Sequence, residues 1–582
     1  MSPCSCKRSS PFFNADLGHV LTGDLSLVDN DALRRLLRLG PKFREPPPVD
    51  YDSLVAACLE RVETLVDRWA KLELKPTSFW MDWKTALASA LHIKAQHLKR
   101  KKCVPPPPGM RDPEVIKALR SLHKKFVLIP ADKADNNVIL VCKSFYLHRV
   151  KAELVDNGNS TYARIEDKEK DAIARDRSKE IKRRFGIEVP DDQQRFSSLY
   201  WTAKMNKQVV GCRFIAASNR CFTKTLSTCI NRYLKAVMNI HRSKCLKLKR
   251  DTGVEHCWVI DSSQPVHARI EQLNARLGCD SVDSFDFKNL YTNIPHEDLK
   301  KQLQWAIKTA FEYAAESKGS VCGLRWKGQK LGACFSPGRS TSSISESMLI
   351  DMVNFLIDNI YVSVGSRNFK QNVGIPMGTD CGPTLANLYL FALEFKWIRD
   401  LWEGAGTREE VQKRRKIALG CAHCFRYIDD LLTFNNRNVV ADHWREIYPF
   451  LELEKQNDTS LSTDFLDLTL SVVKGRVSKS PFNKRDAFGF EVVSFPNLES
   501  NIHFKNSHGV FIGQLLRFAR NCDQWKKFQD LSSALIGRLL RQGFSKRLLR
   551  ACTLRFFERY CNLLKKFTIG KGPSLVNHLF SS

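Results

Sequence analysis

Between Phe425 and Phe434 the chain reads Phe-Arg-Tyr-Ile-Asp-Asp-Leu-Leu-Thr-Phe, two adjacent aspartates set inside a run of apolar, β-forming residues. The pattern predicts a tight hairpin with the acids at its tip. An ordinary turn is a second reading, because Asp is common in turns. Turns usually place Gly or Asn beside it, whereas here Tyr427 and Ile428 precede the pair and Leu431 and Leu432 follow. Two like charges in an apolar frame are costly, and divalent cations would offset that cost. Such a frame needs a sizeable core around it. A length of 582 residues, 43% of them hydrophobic and 26% charged, provides one and excludes global disorder. The length suggests roughly two to four structural units.

The charge narrows the partner. With 92 Lys and Arg against 62 Asp and Glu the formal net charge is +30. That excess repels itself unless a polyanion such as nucleic acid or an anionic membrane is near. No basic amphipathic helix of the membrane-binding kind stands out, and no run of about 20 apolar residues is free of charge, so no membrane is expected. MSPCSCKRSS at the N-terminus lacks the apolar core of a secretory signal. The 19 cysteines are odd in number and mostly single among apolar neighbours, as at Cys142, Cys229 and Cys279, which reads as reduced thiols of an intracellular protein. Cys4 with Cys6 and Cys421 with Cys424 are close pairs, but neither has a second pair at zinc-finger spacing.

Leu54, Cys58, Leu65 and Trp69, then Trp80, Trp83 and Leu87, recur near helical spacing and predict a helical N-terminal segment. It ends in the basic run Lys99–Lys102 and the prolines Pro105 to Pro108, read as a linker. Apolar runs 126–129 and 138–141 flank a polar stretch and predict a hairpin; Tyr200 to Lys204 and Arg213 to Ile215 set basic residues beside β-forming ones. Residues 318–343, rich in Gly, Ser and Lys, read as a long loop or insertion. A helix with a Ser343/Glu346 capping box follows, then a hairpin around Gly365.

Two further segments bear on chemistry. Val282, Phe285 and Phe287 mark a short strand holding Asp286, a carboxylate that is costly there unless it meets a metal or a strong donor; a capping or turn role is the alternative. Gly374-Ile-Pro-Met-Gly-Thr-Asp-Cys-Gly-Pro383 is a loop whose backbone is free to approach a ligand closely, with Pro383 suited to the first turn of a following helix. It lacks the Gly-Lys-Ser/Thr of a P-loop.

The order acid on a strand, Gly-rich loop into helix, Asp-Asp hairpin resembles reverse transcriptases, whose motifs A, B and C occur in that order. FDFKNLYTNIPH (285–296), GIPMGTDCGPTLANLYLF (374–391) and RYIDDLLTF (426–434) resemble the Penelope-like retroelement group, which is related to telomerase. So do IPADKADNNVILV (129–141) and FPNLESNIHFKNSHGVFIGQLLRFAR (495–520). The resemblance spans roughly residues 120 to 560.

It implies an α+β right-hand polymerase: a helical N-terminal extension (1–104), a Pro-rich linker (105–113), fingers and the start of the palm (114–282), a palm with an antiparallel sheet (283–500) and a basic helical thumb (501–582). The implied activity is RNA-directed DNA synthesis from a primer 3'-hydroxyl, with an RNA template, a DNA primer and dNTPs as partners. Asp286 and Asp429, with Asp430 as the less tightly coordinated neighbour, would hold two Mg2+ ions, with Mn2+ as a substitute, about 4 Å apart. Tyr291 matches the steric gate that excludes a ribose 2'-OH; Met377 and Gly378 match the motif B positions near template and incoming base; Arg213 and Lys133 match fingers contacts to the triphosphate. Lys484 resembles a general acid for pyrophosphate release.

Departures are visible too. Met377 stands where retroviral enzymes have Gln, Phe214 replaces the family's usual Pro, and neither GIY-YIG endonuclease motifs nor an RNase H acid set is found. The last 82 residues hold 15 Lys and Arg against 3 Asp and Glu, with Leu531, Ala534, Leu535 and Leu539 at helical spacing beside Arg538, Arg541, Lys546, Arg547 and Arg550. A phosphate-gripping thumb fits that composition. An intracellular, chiefly nuclear place is expected. The alternative to an active enzyme is a domesticated relative that binds nucleic acid without turnover.

Overall fold

The computed structural model describes residues 13–14, 18–46, 50–72, 81–100, 108–155, 161–205, 210–317, 319, 321–327, 330–336, 343–436, 439–567 and 573–580. Cys4, Cys6, Trp80, Lys101 and Lys102 of the basic run, and Pro105 to Pro107 lie outside what it describes.

A four-stranded antiparallel sheet sits at the centre, ordered Cys424–Tyr427, Asp430–Phe434, Val282–Lys288, Glu452–Lys455. Its strands alternate with the period of two that a sheet with two different faces requires. Phe285, Phe287, Leu431 and Leu453 point to one face and join the largest core, made with helices Lys224–Thr252, His296–Ser317, Glu346–Asp358 and Gly382–Glu403. Val282, Leu432 and Phe434 point to the other, where they pack on Phe465, Leu468 and Leu470 of a three-stranded meander, Ser462–Phe465, Leu468–Val473 and Arg476–Pro481. Asp286 and Asp430 share this second face, at the end the meander leaves open.

A nine-stranded mixed sheet lies to one side. Phe126–Ala131 and Ala134–Cys142 form the expected hairpin, but its turn is only Asp132 and Lys133, with a register shift at Pro130/Ala131. Residues 134–137, expected in the turn, are strand. Ser197–Lys204 pairs with Gly211–Ala217 and, in parallel, with Tyr361–Val364, the first strand of the expected Gly365 hairpin. The N-terminal segment is not helical throughout. Helices Tyr51–Leu72 and Met81–Arg100 match the periodicity, while His19–Thr22 pairs with Ala134–Cys142 and joins this sheet.

Two other expectations are corrected. Within 318–343 the described residues are not loop throughout: Val321–Lys327 and Lys330–Ser336 pair over seven residues each, held by Cys322 in the main core. The cap of Glu346–Asp358 is Ser345, whose hydroxyl accepts from the Met348 N–H; Ser343 is in a short strand. At the C-terminus, helices Phe504–Asn521, Trp525–Arg541 and Lys546–Arg559 enclose a separate core of Phe511, Leu515, Phe528, Leu539 and Phe556. Among the described residues no helix is long and apolar enough to cross a membrane.

Candidate active site

The site is built on strand register. Asp430 is paired directly with Asp286, and Tyr427 with Asp430, leaving Ile428 and Asp429 as a two-residue turn. Opposite residues of an antiparallel pair stand about 5 Å apart on one face, so Asp286 and Asp430 are neighbours by register. The acids are thus divided, Asp430 on its strand and Asp429 in the turn. Ile428 has φ +56, a left-handed conformation that a β-branched residue adopts only under constraint.

A cavity of about 1030 Å³ opens over this end of the sheet, lined by Asp286, Asp429 and Asp430 together with Lys133, Arg213 and Lys484. The cations come from three places: Lys133 from the 126–142 hairpin turn, where its φ is +65, Arg213 from the mixed sheet, and Lys484 from a 3-10 turn after the meander. The Arg485 side chain donates to the Lys133 carbonyl at 3.1 Å, tying two of these elements together. Arg213 reaches Asp132 at 3.4 Å, while its Nε is buried with no hydrogen-bond partner. A buried unsatisfied guanidinium N–H costs free energy unless an anion takes it up. Burial above all raises the Asp430 pKa, Asp429 adds to the rise, and Lys484 and Lys133 oppose it.

Tyr291 lies behind the acids. Burial, and after it the charge of Asp429, pushes its hydroxyl well above the usual phenol range. Its carbonyl accepts from the Ile375 N–H at 2.7 Å. A Cβ on Gly374 (φ +88) would come 2.3 Å from that same carbonyl, so only glycine permits the approach. Gly378 (φ +119) has the same requirement: a Cβ there would lie 2.1 Å from the Ala216 carbonyl. Met377 accepts the Ala216 N–H at 2.7 Å through its own carbonyl, and the Ser218 hydroxyl donates to Gly378. The Met377–Gly378 loop is therefore fastened to the strand that carries Arg213; neither residue lines the acid cavity. Lys224 holds both carboxylate oxygens of Asp380 at 2.7 Å, anchoring the loop's far end.

Sequence reading missed Lys204, which lines the same cavity two register steps from Arg213, and also Asp132, Asp464 and Asp486. Lys204 ends a run of β-forming residues beside Arg213, a signal that becomes specific only once the pairing is known. Among the described residues no group of three His, Cys, Asp or Glu side chains is arranged to hold a metal ion as it stands. The donor set is nevertheless all carboxylate oxygen, the kind hard cations take, with Asp286 and Asp430 cross-strand neighbours and Asp429 next to Asp430 in the turn.

No protein-family model matches the chain, and no curated protein sequence does. Solved structures do. The telomerase of Candida albicans in complex with a TWJ fragment of telomeric RNA is similar over 85% of this chain and 74% of that one, at 11% identity and a TM-score of 0.52. The likeness is one of fold. Telomerase of Candida tropicalis with a TWJ fragment (12% identity, 95% and 81% covered, TM-score 0.43) and without it (12%, 86% and 76%, TM-score 0.40) are also similar.

Proposed function

We propose that the chain is an RNA-directed DNA polymerase of the retroelement kind, Penelope-like by its motifs, that extends a 3'-hydroxyl primer with dNTPs and works chiefly in the nucleus. The observation that carries the proposal is the pairing of Asp286 with Asp430, beside Asp429, in a cavity that Lys133, Arg213 and Lys484 also line. The Candida albicans telomerase fold supports it.

Asp286, Asp429 and Asp430 would hold two Mg2+ ions. When bound, the ions supply Lewis acidity at the primer hydroxyl and the triphosphate. Arg213 and Lys133, both lining the cavity, bind the triphosphate and neutralise its charge. Lys484, which lines the cavity with Asp430, hands a proton to the leaving pyrophosphate. Tyr291, fixed on the Gly374–Ile375 backbone, excludes a ribose 2'-OH, and the loop at Met377 and Gly378 backs the template base. The basic C-terminal helices grip the template–primer duplex.

The test is primer extension on an RNA template with Mg2+ and labelled dNTPs. The wild type incorporates and Asp429→Asn does not, while both bind the primer–template equally. Incorporation that persists in Asp429→Asn removes the assigned site. Equal binding with no incorporation by the wild type favours a domesticated nucleic-acid-binding protein.

A further inference from the structure

Arg426 stands two residues before the turn, on the face of the sheet turned away from the cavity. It is fully buried, and each of its five N–H donors has an acceptor. Nε donates to Glu394 Oε1 at 2.5 Å; Nη2 donates to Glu394 Oε2 at 3.1 Å and to the Asn387 carbonyl at 3.3 Å. Nη1 donates to Asn387 Oδ1 at 2.9 Å and to the Ile428 carbonyl at 3.0 Å. Glu394, also fully buried, accepts the Tyr448 hydroxyl at 2.8 Å. Glu394 and Asn387 both belong to the helix Gly382–Glu403 that follows the Gly378 loop.

A buried ion pair is a poor way to gain stability, because well-packed apolar residues of the same volume do as well or better. What apolar residues cannot do is hold a carbonyl. The carbonyl held here belongs to Ile428, the residue at φ +56. A strained turn persists only where its surroundings over-determine it. We infer that Arg426 is a positioning residue: clamped by Glu394 and Asn387, its guanidinium holds the Ile428 carbonyl and so fixes the turn that presents Asp429 beside Asp286 and Asp430. The helix behind the Gly378 loop and the acid turn are thereby one rigid unit. The inference rests on the polymerase reading only where activity is the readout.

The test needs folded proteins. Glu394→Gln with Arg426→Gln removes both charges together, so neither is left buried alone; Arg426→Lys, which keeps the charge but loses the fork, is the second variant should the first fail to fold. Ile428→Gly is added to each, since glycine takes φ +56 without strain. Mn2+ affinity is read by electron paramagnetic resonance, and kcat and KM for dNTP by primer extension, with thermal melting to confirm folding. Removing the clamp is expected to weaken Mn2+ binding and lower kcat by about tenfold each, with KM little changed. Adding Ile428→Gly is expected to recover about a third of each loss or more. Mn2+ affinity unaffected by loss of the clamp, or no recovery with Ile428→Gly, overturns the inference. If Mn2+ affinity follows the expected pattern while the wild type incorporates nothing, the positioning role stands and the polymerase reading falls.

Discussion

The acid sheet and the C-terminal helices carry the molecule's two kinds of charge in opposite ways. At the sheet, charge is concentrated and constrained: Asp286 faces Asp430 in register, Ile428 is held at φ +56, and a buried guanidinium with all its donors satisfied stands behind it. In the C-terminal helices charge is spread over the outside of an ordinary apolar core, with Lys546, Arg547 and Arg550 exposed while Leu549, Cys552 and Phe556 are buried. The difference implies that single atoms decide function in the first region and that only summed charge does so in the second.

The sharpest way to break this contrast is Asp286→Asn, which keeps shape and removes one charge. It is expected to lower kcat of primer extension on the order of a thousandfold, several kcal/mol of transition-state stabilisation, with nucleic-acid affinity unchanged. A loss below about tenfold would mean that the Asp286 and Asp430 pairing is structural. Arg213→Ala lies next. Its guanidinium borders the cavity but belongs to the other sheet, so losing a charge-assisted bond of about 1.5–3 kcal/mol should raise KM for dNTP about 10- to 100-fold with a smaller effect on kcat. Should kcat fall instead and KM hold, Arg213 acts through Asp132 on the fold rather than on substrate.

The legible part of this architecture was the part governed by local period. Apolar alternation around Asp286 and around Asp429–Asp430 marks the strands, and the structure pairs Asp286 with Asp430 while Asp429 falls in the turn. Tyr291 was marked only by the family resemblance, and Gly374 and Gly378 by the Gly- and Pro-rich loop, without the backbone approaches that make glycine obligatory at 374 and 378. What escaped depends on tertiary partners. The 321–336 hairpin is poor in β-branched residues and folds because Cys322 is taken into the main core. The Arg426–Glu394 pair joins residues far apart in the chain, and its only local sign was a lone glutamate in the otherwise apolar and aromatic run 388–395. Lys204 needed the 197–217 register to be seen beside Arg213.

The C-terminal helices sharpen the comparison from the other side. Lys546→Gln, Arg547→Gln and Arg550→Gln together should leave kcat unchanged and lower the slope of log affinity against log salt by roughly 0.7–0.9 for each phosphate no longer neutralised. The three single variants should each give about a third of that change, because exposed charges act by counterion release rather than by geometry. A single variant that reproduced the whole effect would show that this surface also has a decisive residue.

Asp430 gives the smallest effect and the most direct measure of what the acid sheet gives up. Burial first, then Asp429, raises its pKa above the ordinary carboxyl value, against the opposing charges of Lys484 and Lys133. A carboxyl whose folded pKa lies above its unfolded one binds its proton more tightly in the folded state. The ionised form therefore destabilises the fold at neutral pH, and stability is regained as pH falls through the raised pKa. Without divalent cations, Asp430→Asn should melt above the wild type at about pH 7, and the gap should close as the pH is lowered into the carboxylate range. In the wild type Mg2+ should raise the melting temperature at about pH 7, and in Asp430→Asn it should do so less, since a ligand of the folded state stabilises in proportion to its affinity. Equal melting of the two proteins at both pH values would mean that Asp430 is not held against its own charge, and the contrast between a constrained acid sheet and a tolerant basic surface would lose its energetic basis.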